Sequence, residues 1–159
     1  MKNITLGNVH YLESMSEETH CFTATVKVDG KPFCEAKNEG HGGPTFFYPL
    51  NENDLGELER KIKQENPMVD TPYGTIPNSL ELVVGDLLDE YLLNREVKKF
   101  ATKLKKKIYL YDPKSDEILT IKKGIPNQTN LSAVKAKYPN MVVMNELDEN
   151  GVREILFGQ

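Results

Sequence analysis

The sequence predicts an α+β fold. The expected architecture is an antiparallel sheet built from an N-terminal Asp-Gly hairpin and a C-terminal hairpin, packed against a long central helical segment and short helices. Three observations carry this. Residues 22–28 and 31–36 flank Asp29-Gly30, a pair suited to the positive φ angles of a type I′ turn. Residues 108–111 and 117–121 flank the turn-rich Asp112-Pro113-Lys114-Ser115-Asp116. Between them, residues 79–106 carry apolar side chains at helical spacing.

Taken in order, Ile4 to Leu12 reads as an opening strand. In the hairpin, Phe22, Ala24, Val26 and Val28 share a face, with Phe33 expected to join them from the partner strand. A two-residue turn sets Val28 against Lys31 and Thr25 against Cys34. Cys21 then lies about 13 Å from Cys34 at ~3.3 Å per strand residue, whereas bridged Cα atoms lie within about 7 Å. The spacing therefore predicts free thiols in a reducing compartment. After the loop Asn38-Glu39-Gly40-His41-Gly42-Gly43-Pro44 comes the aromatic stretch Thr45-Phe46-Phe47-Tyr48. Asn53 or Asp54 can cap a helix over 55–64 with Leu58 and Ile62 inward. Residues 67–77, dense in turn formers, read as a loop.

Asn78 and Glu81 suggest a capping box for the long helical segment. Its stripe of Leu80, Val83, Val84, Leu87, Leu88 and Tyr91 and a second one of Val97, Phe100, Ala101 and Leu104 lie on different faces. A break near Asn94, or two halves with different packing partners, would reconcile them, and the break is expected. Beyond the second hairpin, a helix over 130–138 ends at Pro139, 141–144 reads as a buried strand, and 147–156 as a terminal helix.

A chain of 159 residues, with 38% hydrophobic and 28% charged side chains, is expected to form a single α+β domain over 1–159 without metals or disulfides. Neither a signal-peptide pattern nor a membrane-length apolar run occurs, so a cytoplasmic location is expected, with no membrane partner. The net charge of −4 hides a polarity. Residues 51–92 hold three basic and ten acidic side chains, while residues 95–123 hold ten basic and four acidic ones. Lys98, Lys99, Lys103 and Lys106 are candidate anion contacts, although acids early and bases late also suit a helix dipole. The run lacks interleaved aromatics for stacking on bases.

The glycine-rich loop is the most unusual local feature. Glycines permit close approach of a ligand, and consecutive N–H groups can cradle an anion. His41 could supply a proton or a switchable charge. His41-Gly42-Gly43 matches part of an oxyanion-loop motif, but no Gly-x-Ser-x-Gly elbow or P-loop accompanies it. The candidate binding residues are His41, Gly42, Gly43, Thr45, Phe47 and Tyr48, with Phe46 beside them. His20, Cys21, Cys34 and His41 do not form a zinc set at the predicted register, and no metal or cofactor is expected. Asp86, Asp89 and Glu90 read as a solvated face, and His10, His20 and His41 yield no Ser/His/Asp set. His41 is expected to have no chemical partner, and the chain leans away from enzymes.

The loop from Asn38 to Tyr48, the central helix and the ending Met141-Val142-Val143-Met144-Asn145-Glu146-Leu147 resemble a group of small uncharacterised proteins of bacteriophage, prophage and bacterial genomes. The similarity spans most of the chain and implies a habitat rather than an activity. What it implies is a non-enzymatic phage or mobile-element accessory protein that binds a host or defence-system protein, with self-association a further expectation. The alternative is a nucleotide- or nucleic-acid-binding protein using the His41 loop or the Lys98–Lys107 face.

Overall fold

Asp29 and Gly30 adopt φ angles of 51° and 78°, and the strands they join form the centre of a four-stranded antiparallel sheet. The computed structural model describes residues 3–158 and contains two compact units, Met1–Glu90 and Tyr91–Gln159. The protein is α+β, and its sheets are antiparallel. The two hairpins occupy separate sheets, not the single one expected.

In the first unit the sheet order is β1 (Ile4–Tyr11), β2 (Cys21–Val28), β3 (Lys31–Glu39), β4 (Phe46–Pro49). Val28 faces Lys31 as predicted, but the register shifts between Val26 and Lys27, so Cys34 faces Val26 and Thr25 faces Glu35. The cause is local. Pro32 has no N–H to give the ladder, and the Phe33 carbonyl accepts from Leu50 N–H and Asn53 Nδ2 instead. A one-residue slip moves every later side chain to the other face. Cys34, Ala36 and Asn38 are therefore buried, while Phe33 is only half-buried and Cys34 takes its expected place in the core. Both thiols are free, as the strand spacing predicted. Burial, with Glu35 beside it, pushes the Cys34 thiol up to about 11.

α1 (Leu55–Glu65) is capped by Asp54, which accepts from Glu57 N–H, and it buries Leu58 and Ile62. Residues 67–77 are not a loop. They contain the paired strands β5 (Met68–Thr71) and β6 (Gly74–Pro77), closed by the Thr71 hydroxyl on the Gly74 carbonyl. Val69 opposite Ile76 was the available signal, masked by the prolines and glycine around it.

α2 (Leu80–Leu104) is continuous, correcting the predicted break. Residues 86–104 contain neither Gly nor Pro, and backbone hydrogen bonding does not depend on which face is buried. The change of stripe instead accompanies the division into units: Leu80, Val84 and Leu88 are buried in the first, Val97 in the second. The predicted capping box does not form. Ser79 Oγ accepts from Leu82 N–H, Asn78 accepts from Ser79 N–H, and Glu81 reaches Thr45.

The second unit is built on β7 (Ile108–Asp112), which pairs with β8 (Glu117–Ile121) and with β9 (Val142–Val143). Ile108, Leu110 and Val143 form its core with Leu131 of α3 (Gln128–Lys137), which Asn127 caps. Asn145 ties these parts together. Its Oδ1 accepts from Tyr109 N–H at 2.9 Å, and its Nδ2 donates to the Leu104 and Lys107 carbonyls, closing the end of α2. α4 (Glu149–Phe157) begins at the Asp148 cap.

Candidate functional site

The His41 loop is organised by one buried side chain. Asn38 is 5% exposed, and all of its hydrogen-bonding groups are engaged. Its Oδ1 accepts from the Thr19 hydroxyl at 2.8 Å and from Gly40 N–H at 2.9 Å. Its Nδ2 donates to the Gly43 carbonyl at 3.0 Å and to Thr45 Oγ1 at 3.3 Å. The register slip in β3 faces Asn38 inward, where leaving these groups unpaired would be costly.

A second set of bonds fixes the loop from the other side. The Gly40 carbonyl accepts from the N–H groups of Glu17, Glu18 and Thr19. Gly42 N–H donates to Thr19 Oγ1, and Thr45 N–H to a Glu81 oxygen at 2.6 Å. Gly40 and Gly42 hold φ of 89° and 82°, where a Cβ would fall 2.1 Å from the Met15 carbonyl oxygen and 2.2 Å from Glu18 Oε2 respectively. Gly43 has open space around it. Gly40 is thus required by backbone angle and by crowding against backbone, and Gly42 by backbone angle, since the end of the Glu18 side chain can swing aside.

This geometry bears directly on chemistry. The N–H groups of Gly40, Gly42 and Thr45 already have internal acceptors, and the surroundings hold Glu17, Glu18 and Glu81. Phosphate held by these three groups would have to displace those acceptors and approach carboxylates. His41 does have a chemical partner, contrary to expectation: its Nδ1 lies 3.1 Å from Glu17 Oε2, with both side chains more than half exposed. A second such pair joins His20 Nε2 to Asp89 Oδ1 at 3.0 Å, with Tyr11 edge-on to the His20 ring. Neither pair has a free hydroxyl nucleophile from the neighbouring segment. Ser16 Oγ donates to the Leu12 carbonyl and accepts from Cys21 N–H, and Thr19 is committed to Asn38 and Gly42. Among the described residues no three His, Cys, Asp or Glu side chains stand together to hold a metal.

β4 presents the aromatics. Phe46 pairs with Lys37 and Tyr48 with Glu35, placing both on the open face, 52% and 54% exposed. Phe47 pairs with Ala36 on the covered side and is half-buried, so Phe46 and Tyr48 form the accessible pair. Leu50 N–H bonds to the Phe33 carbonyl, so by alternation Phe46 and Tyr48 turn their backbone groups toward β3. Phe47 and Pro49 turn theirs outward, and Pro49 has no N–H to offer. The edge is therefore short and blunted against strand addition, and its recognition potential lies in side chains.

Of the remaining predicted residues, Lys98, Lys99, Lys103 and Lys106 are exposed in the second unit. Lys99 bonds Glu96 at 2.6 Å, and the Lys103 ammonium sits 5.9 Å from the Phe100 ring centre. Glu17 and Glu81 were missed from sequence because each acts through long-range contacts, and Asn38 because its inward facing depends on the register slip in β3. Asn38 alone left a signal, as a polar residue at a core-facing position once the strand is shifted.

Neither a protein-family model, nor a curated protein, nor a solved structure matches the chain. Function rests on the geometry.

Proposed function

We propose that this is a non-enzymatic binding protein whose contact surface for another protein is the His41 loop with Phe46 and Tyr48. The observation that carries this reading is the combination of an exposed loop with a buried, fully satisfied Asn38 hub beneath it. A surface fixed in advance loses less conformational entropy on binding. Exposed aromatics beside it suit the anchoring role that large planar side chains play at interfaces. The resemblance to phage and mobile-element proteins adds the setting: a cytoplasmic accessory protein acting on a host or defence component. No helix among the described residues is long and apolar enough to cross a membrane.

The test is affinity capture from host lysate with wild-type protein and with Phe46→Ala combined with Tyr48→Ala. Loss of two anchors is expected to weaken capture by about 30-fold, the scale of a single interface hot spot. His41→Ala should weaken it independently. Gly42→Ala is a poor probe, because its strained φ alters loop shape as well as contact. Undiminished capture by both variants would exclude this surface.

One observation favours a second reading, nucleic-acid binding by the second unit. Thirteen basic and eight acidic side chains fall in residues 91–159, and the Lys98–Lys107 run is exposed. Affinity for RNA or DNA should then fall steeply between low and physiological salt. Absence of binding at low salt rejects it.

A further inference from the structure

We infer that the second unit pairs with a second copy of this chain, β8 lying antiparallel beside β8 of that copy. The inference concerns the second unit alone and goes beyond the reading of the His41 loop. It begins with where the backbone groups of the hairpin point. Tyr109 N–H is spent on Asn145, while the Asp112 carbonyl accepts from Asp116 N–H at the hairpin turn. By alternation Ile108, Leu110 and Asp112 turn their groups toward β8, where they meet Ile121, Leu119 and Glu117. Ile118 and Thr120 therefore hold their N–H and C=O groups away from β7, along the open edge of the three-stranded sheet. The other sheet edges are interrupted or short. β1 is irregular between Gly7 and His10, β4 carries Pro49, and β6 carries Pro77. β5 lies between Pro67 and Pro72, and β9 has two residues. β8 has five residues, with neither a register shift nor a proline.

This edge is complementary to itself in backbone, packing and charge. Antiparallel pairing centred on Leu119 sets Ile118 opposite the partner's Thr120, so the outward N–H and C=O groups of both residues find partners. It also sets Leu119 against the partner's Leu119. Leu119 shares the face of buried Leu110 yet is 41% exposed, because β8 ends the sheet. A second Leu119 there extends the apolar layer of Ile108, Leu110 and Val143, against which Ile121 already packs. Asp116 and Glu117 stand at the start of the strand, and Lys122 and Lys123 follow its end. Neither lysine has an ion-pair partner among the described residues. Antiparallel copies lay the acids of each against the lysines of the other, whereas parallel copies would set like charge on like. Edge lysines ordinarily deter strand addition, and here they admit an approach that brings carboxylates in this order. A nucleic acid would use the lysines but leave Leu119 and the Ile118 and Thr120 backbone groups unmatched.

The experiment is sedimentation velocity on the full chain across a concentration series. Wild type is expected to show a mass rising from that of one chain toward that of two. Leu119→Lys places like charges directly opposite and should weaken the dimer about tenfold or more. Thr120→Pro removes an outward N–H that β7 does not use, so it should abolish the dimer while the circular dichroism of the monomer is kept. Register is read by mild oxidation. Leu119→Cys is expected to form an intermolecular disulfide, and Thr120→Cys, whose two copies would stand more than about 7 Å apart, is not. Three results would overturn the inference: a single-chain mass at every concentration, a dimer that survives both Leu119→Lys and Thr120→Pro, or equal crosslinking at positions 119 and 120. A dimer that forms only when RNA or DNA is added also overturns it, in favour of the nucleic-acid reading. Partner capture through Phe46 and Tyr48 should be unchanged by Leu119→Lys, so either surface can fail without the other.

Discussion

Gly40→Ala is expected to destabilise the first unit by about 3 kcal/mol or more, the largest effect of any single methyl group added to the loop. Two costs combine. The backbone at φ 89° is unfavourable for any residue with a Cβ, and that atom would stand 2.1 Å from the Met15 carbonyl oxygen and 2.9 Å from Cys21 Cβ. Neither neighbour can yield cheaply. Residues 17–19 hang from the Gly40 carbonyl, and Cys21 starts the paired strand β2. Gly43→Ala is the control, because a Cβ there meets nothing within 4 Å and no positive φ is involved. Urea unfolding should leave Gly43→Ala within about 0.5 kcal/mol of wild type. Equal midpoints for the two variants would show that the loop does not constrain Gly40. The same comparison by partner capture separates loop shape from loop composition.

Leu110→Ala should cost about 2–5 kcal/mol in the second unit. Leu110 is 1% exposed at the centre of the cluster formed with Ile108, Leu131 and Val143, and it lies on the central strand of the three-stranded sheet. Strands paired on both sides have little freedom to collapse into the space left behind, so the cavity persists. Leu119→Ala, at its partner position on β8 but 41% exposed, should cost under about 1 kcal/mol. Similar losses at the two positions would refute the placement of the core on the β7 side.

The pattern of what could be read in advance follows the range of the interactions involved. Asp29-Gly30, the Asp54 cap, Leu58 with Ile62, and the order strand, strand, helix, strand, helix in the last third are properties of a few adjacent residues. The bulge at Phe33 is different. It depends on Leu50 and Asn53 claiming a carbonyl from far along the chain, and it alone decides that Cys34 and Asn38 face inward. Residues 67–77 also misled, because turn-forming residues mark a tight hairpin as readily as a loop.

The candidate site divides in the same way. Composition and motif drew attention to the glycine loop, to His41 and to the aromatics after it, and they removed the known nucleotide and hydrolase patterns. Only the tertiary structure brought Glu17 to His41, Asp89 to His20 and Glu81 to Thr45. These partners lie tens of residues apart, and no local periodicity encodes them. The sequence by itself determined the class of fold, the free thiols and the loop worth attention. Folding decided that the Gly40 and Gly42 N–H groups are turned inward onto Asn38 and Thr19, and that carboxylates gather around the loop. Electrostatics at contact distance depends on which groups meet, and a linear chain does not state that until it is packed.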